Sequence, residues 1–247
     1  MTGTEYGSIG RELWIDASPE VVFEVVSRPE HLREWWPDDA RLDAPTVATT
    51  GTLTFGDPTS PDAKVVALQV AESDPPDGSP SPTTDTTTAS TTVDIRHRVA
   101  ARVPLAEVHA ALATADDIAR WWTTVTIGDG ALGGLLVTRF ADPDGVEIGG
   151  FDLRVTALEP TRIQWQVVDG PPEWIGTRLT FDLATEVDGA GTSWTVVLFT
   201  HTGWREPGDF MSHCSTKWAT FLLSLRDLVE TGSGRPAPDD VRIGDWH

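Results

Sequence analysis

The chain has 247 residues, 39% of them apolar and 11 of them Trp, enough for one or two domains with a packed core. With 18 basic against 38 acidic residues the net charge is -20, which repels phosphate backbones and anionic lipid surfaces and argues against nucleic acid as a partner. The single cysteine, Cys214, excludes an intramolecular disulfide, no apolar run reaches the roughly 20 residues that span a bilayer, and residues 1–30 lack the basic start and apolar run of a signal peptide; a cytoplasmic protein with no membrane partner is expected.

Along the chain, Gly10–Asp16 alternates as a strand, and Ser18-Pro19-Glu20 sets an N-cap with proline in the first turn of a helix that runs to about Ser27. A second short helix starts at Pro29 and ends at Trp35-Trp36, where Pro37 stops it. Thr52–Phe55 and Lys64–Val70 read as strands, and Asp74–Thr92 is Pro/Ser/Thr-rich with too little apolar surface to offset ordering entropy, hence a linker. Next come strand Val93–Val103, helices Leu105–Thr114 and Asp116–Trp122, and strands Leu135–Phe140, Glu147–Leu158, Arg162–Val168, Thr177–Thr185 and Thr192–His201, with turn signals at Asp142–Gly145 and Asp188–Gly191. Within Asp209–Glu230, Met211, Cys214, Trp218, Phe221, Leu222, Leu225 and Val229 recur at spacings of three and four, and Gly232 can cap this long amphipathic helix. The Gly/Pro/Asp-rich tail, with Trp246 near its end, is expected to lie over the surface.

A duplication runs through this order. Ser18–Trp36 aligns without a gap on Pro104–Trp122, 86 residues on (18 to 104), so that Val22 falls on Val108, Val26 on Leu112 and Leu32 on Ile118. Leu68–Pro75 aligns on Leu153–Pro160 at an offset of 85 (68 to 153), after which only the second copy continues. The expected organisation is a truncated copy at 1–75, a linker at 76–92, a complete domain at 93–232 and a tail at 233–247. Val22, Phe23, Val26, Trp35 and Trp36 of the truncated copy need a covering partner, either the complete domain of the same chain or a second chain in a homodimer.

Gly128-Asp-Gly-Ala-Leu-Gly133 spells the G-x-G-x-x-G of dinucleotide sites, but the next segment, Leu135–Phe140, is strand-like where that motif needs a helix, so no dinucleotide cofactor is expected. His213 and Cys214 point about 100° apart on a helix and no second cysteine exists, so no metal is expected. Asp116-Asp117 at a helix start reads as capping and as a favourable partner of the helix dipole. His201, at a strand end, would need Asp209 or Glu206 to orient it as a general base, and no complete catalytic set is found.

One strand, two short helices, about six antiparallel strands and a long last helix make an α+β layer in which a curved sheet wraps the helix. The set of Pro-Glu helix start, Trp121-Trp122, Glu159-Pro-x-Arg-Ile-x-Trp165, Gly176-Thr-x-Leu-Thr-Phe181, Thr200-His-Thr-Gly-Trp204 and Trp218 in the last helix resembles homologues of the heat-shock-protein-90 ATPase activator, in the START/polyketide-cyclase superfamily. The resemblance covers 93–232 fully and 10–75 in part, and implies the helix-grip fold: a curved antiparallel sheet around a long C-terminal helix, here preceded by a truncated copy. Strand parity puts Ile163, Trp165, Val167, Leu179, Phe181 and Leu183 opposite Met211, Cys214, Trp218 and Leu222. With the resemblance added, a cavity is expected there, bordered by Trp122, Ile163, Trp165, Leu179, Phe181, His201, Met211, Cys214, Trp218 and Leu222, for a small hydrophobic or aromatic ligand bound without catalysis. The same side chains can instead pack solid. Because this superfamily spans lipid carriers, cyclases, hydrolases and co-chaperone-like proteins, a protein-interaction module and a cyclase or hydrolase using His201 stand as alternatives.

Overall fold

The computed structural model describes residues 17–44, 46, 49–70, 93–142 and 145–244. The strand expected at 10–16, the linker at 76–92, Trp246 and the middle of the Asp142–Gly145 turn lie outside the described residues. The described residues form two compact units, one on each side of 71–92.

The first unit opens with α1 (Pro19–Ser27) and α2 (Pro29–Trp35), both with proline in the first turn. Arg28, the residue before the second proline, is extended at φ -100°, ψ 128°, as steric clash with a following proline ring requires, so the helices are separated by this one residue. β1 (Asp39–Leu42), β2 (Thr50–Phe55) and β3 (Lys64–Gln69) follow in a three-stranded antiparallel sheet of order β1-β2-β3. Its core is small: Leu32, Ala40 and Leu53, with Phe55 and Leu68 packed against them.

The second unit runs β4 (Val93–Ala101), α3 (Leu105–Ala113), α4 (Ala115–Ile118), β5 (Val125–Gly128), β6 (Leu135–Ala141), β7 (Glu147–Glu159), β8 (Arg162–Asp169), β9 (Arg178–Val187), β10 (Ser193–Trp204) and α5 (Asp209–Thr231). The seven strands form one antiparallel sheet of order β4-β10-β9-β8-β7-β6-β5. α5 buries Met211, Cys214, Trp218, Phe221, Leu222, Leu225 and Leu228. It ends at Gly232 in the left-handed region, φ 82°, whose N–H donates to Leu228 O at 2.8 Å. This is the α+β helix-grip arrangement. Among the described residues no helix is long and apolar enough to cross a membrane.

Three details depart from the sequence pattern. β1 and β5 have no sequence signal of their own, β10 continues past His201 to Trp204 through an irregularity at Gly203 (φ 91°), and the tail is tied down more firmly than a surface segment, with Ala237 and Ile243 buried. Gly128–Gly133 leads from β5 toward β6, a strand, as expected. At α4, Thr114 Oγ1 accepts from Asp117 N (3.1 Å) and donates to its carboxylate (2.7 Å), so Asp117 serves the helix cap.

The two units share one local design. Moved on by 86 residues, Pro19–Ser27 coincides with Leu105–Ala113 and Asp39–Leu42 with Val125–Gly128. The strand registers agree too: Leu53 pairs with Ala40 and Val66, and its counterpart Thr138 pairs with Thr126 and Phe151. Trp35 stacks on Trp36 at 5.9 Å and 20°, Trp121 on Trp122 at 6.1 Å and 17°. Trp36 meets Phe55 edge-on at 6.2 Å, Trp122 meets Phe140 edge-on at 6.1 Å. Even the indole bonds correspond, Trp35 Nε1 donating to Val25 O (3.5 Å) and Trp121 Nε1 to Ala111 O (3.0 Å). Burial is what differs. Trp35 and Trp36 are 55% and 57% exposed, Trp121 and Trp122 0% and 1%. Replacing Trp121 with Ala should therefore destabilise the second unit by about 3–5 kcal/mol, whereas Trp35→Ala should change stability by about 1 kcal/mol or less. Urea titrations of the full chain followed by circular dichroism measure both; equal losses would show that the first pair is covered.

Candidate functional site

Between the sheet and α5 the centre is filled. Trp122 lies 6.0 Å from Trp165 and 5.1 Å from Trp218, Trp165 4.9 Å from Phe181, and Trp218 4.5 Å from Phe199, all centroid distances of rings in van der Waals contact. Ile163, Leu179, Met211 and Leu222 belong to the same packed core.

Space opens toward one end of the sheet, where β6 runs out, β7 begins and β8 turns into β9. A cavity of about 270 Å³ lies there, bounded by these strand ends, the first half of α5 and the tail. Its base is aromatic: Trp122, Trp174, Trp218 and Phe221 are buried, and Phe140 and Phe151 half-buried. Trp174, in the β8–β9 connection, stacks on Phe151 at 3.9 Å. Two glycines in β7 contribute wall without filling space. A Cβ on Gly150 would lie 2.3 Å from Thr138 O, so β6 approaches too closely for any side chain, while one on Gly149 would meet nothing within 4 Å. Asp142, His213, Lys217, Asp240 and Arg242 form a more exposed polar rim.

Of the residues expected to border a cavity, Trp122, Cys214 and Trp218 do so. Ile163, Trp165, Leu179, Phe181, His201, Met211 and Leu222 are buried away from it, because ring-on-ring packing closes the sheet centre. Phe140, Phe151, Trp174 and the tail border it without having stood out in the sequence; the adjacent Gly149-Gly150 inside a strand is the signal of an unfilled position that the sequence does carry.

His201 is fully buried. The Thr177 hydroxyl donates to Trp174 O (2.6 Å), so at 2.9 Å it accepts from His201 Nε2–H, which leaves Nδ1 unprotonated. Burial alone pushes the imidazole pKa down to about 3. Burial likewise pushes the Cys214 thiol up to about 12, the opposite of an activated nucleophile. Among the described residues no three His, Cys, Asp or Glu side chains gather as metal ligands would.

The tail crosses back over the cavity along α5. Arg235 N donates to Ser224 Oγ (2.6 Å), Ala237 N to Trp122 O (2.9 Å), and Thr124 N to Ala237 O (3.1 Å). Farther on, the Lys217 ammonium pairs with the Asp240 carboxylate, reaches Val241 O at 3.3 Å and sits 5.1 Å over the Phe221 ring.

The neutral His201 gives a pH signature. Its folded pKa, about 3, lies below the ordinary value of 6.5, so the unfolded chain takes up a proton that the fold refuses. Stability from this group is full above about pH 6.5 and is lost as pH falls toward 3, at about 1.4 kcal/mol per pH unit. Between pH 6.5 and 5, before most carboxylates titrate, His201→Gln should flatten the fall of the urea midpoint relative to the wild type.

No family model matches the chain, and no curated protein matches it. Among solved structures, the Aha1 dimer from Colwellia psychrerythraea is 40% identical, with a TM-score of 0.50 over 57% of this chain and 99% of its own. A protein from Staphylococcus saprophyticus is 20% identical (TM-score 0.43; 57% of this chain, 95% of its own), and a major latex-like protein from Panax ginseng is 14% identical (TM-score 0.43; 56% and 95%).

Proposed function

This chain belongs to the family of homologues of the heat-shock-protein-90 ATPase activator, and we propose that its second unit binds a small hydrophobic or aromatic molecule in the cavity at the end of the sheet, without acting on it chemically. The observation that carries this reading is the cavity: about 270 Å³, an aromatic base and few polar groups, the usual make-up of a site that takes apolar ligands. Its lack of an activated nucleophile fits, since Cys214 is held as the thiol and His201 does not border it. A neutral fluorescent probe such as phenylnaphthylamine should bind saturably and accept excitation energy from the tryptophans of the base. Mass spectrometry of the purified protein should find a co-purified apolar molecule. Unsaturable, non-stoichiometric probe uptake would sink the reading.

A second reading, a protein-interaction module, draws on the exposed Trp35–Trp36 pair. On that reading this chain self-associates through its first unit. Sedimentation equilibrium should then give a mass above 26.8 kDa that falls to it in the Trp35→Ser/Trp36→Ser double variant, and an unchanged mass would discard the proposal.

A further inference from the structure

Resting on the ligand-binding reading above, we propose that the cavity takes an amphipathic molecule with an anionic head, and that Asp240 is the internal occupant of that head's position on Lys217. Lys217 is one of two lysines in the chain, the other being Lys64. Its side chain is 17% exposed and borders the cavity, and the carboxylate that meets it, on a side chain 11% exposed, comes from the tail. An ammonium so little hydrated needs a counter-ion, and whichever anion supplies it must sit at the cavity rim.

The two partners are not equally free to leave. Lys217 lies in the middle of α5, with its stem running toward the Phe221 ring. Asp240 lies on an irregular segment between the buried Ala237 and Ile243, and its neighbours Asp239 and Val241 are exposed, so its side chain can turn into water, where a carboxylate is at no loss. Exchange of Asp240 for a ligand carboxylate or sulfonate keeps the Lys217 charge neutralised. Exchange of Lys217 for a ligand cation would uncover an ammonium held against an aromatic ring.

The remaining charges agree. With Asp240 withdrawn, the charged and titratable groups of the rim among the described residues are Lys217, Arg242 and His213 against Asp142. The body of the ligand then fills the aromatic base while its head replaces the carboxylate. Because the competitor is tethered, its effective concentration is high, and an anionic ligand binds the wild-type chain more weakly than the site itself allows.

Two probes with the same aromatic body separate the claims: neutral phenylnaphthylamine and anilinonaphthalene sulfonate, titrated into the full-length chain. In Asp240→Asn the anionic probe should bind about tenfold tighter, the size of one charge-assisted contact regained, with the neutral probe changed less than about twofold. Lys217→Gln should remove that gain when combined with Asp240→Asn, again with the neutral probe little affected. If Asp240→Asn leaves the ratio of the two affinities unchanged, or if the gain survives loss of Lys217, the assignment of the head to Lys217 is overturned while the cavity reading stands. Failure of both probes to bind any of these proteins overturns the cavity reading and this inference together.

Discussion

The stacked pair Trp121-Trp122 is the contact on which the second unit depends. Two helices of fixed length, separated by a single extended residue, deliver both rings to one place, and the bond from Trp121 Nε1 to Ala111 O ties the end of the second helix back to the first. From there Trp121 reaches Phe181 of the sheet and Trp122 reaches Trp165 and Trp218. Helices, sheet and α5 are thus joined through rings, whose large apolar area supplies far more than the single hydrogen bond.

The same rings explain why the cavity is where it is. At the sheet centre, aromatic side chains from β8, β9 and α5 meet from both sides and leave no room. At the end, β7 offers Gly149 and Gly150, which border the cavity with no side chain to fill it. The gap is roofed by the tail rather than by the sheet. Access is consequently a property of a segment pinned at Ala237 and Ile243, with the Lys217–Asp240 ion pair and the Lys217 bond to Val241 O between them.

Much of the fold was legible because its signals are local. Pro19 and Pro29 mark two helix starts, the three/four spacing and Gly232 delimit α5, and Asp188–Gly191 marks a hairpin. β1 and β5 escaped because four residues with a single buried position show no alternation; only the repeat, which maps one strand onto the other, could have exposed them. The cavity was legible in kind and not in place. Parity tells which side chains face the helix, but whether facing side chains meet depends on sheet curvature and ring size, neither of which is written in a window of sequence. Trp174 and Asp240 were invisible for a related reason: each enters the site from an irregular segment, where no periodicity exists to be read.

The first unit separates two contributions that the second fuses. It has the helix pair, the three strands with their registers, the stacked tryptophans, the edge contact to a phenylalanine and the indole bond, without counterparts of β8, β9, β10 and α5 among its described residues. The geometry of the ring pair is therefore set by the thirty or so residues around it, through helix length, proline placement and strand register. Its burial is set by elements far along the chain. In the second unit those elements bring Leu112 to 1% exposure, whereas its counterpart Val26 stays at 49%. Hydrophobic stabilisation scales with area removed from water, so the first unit holds the shape of the design with little of its energy. A ring pair held in place yet left in contact with water has already met part of the ordering cost that an interface carries, and this is the physical ground of the interaction reading.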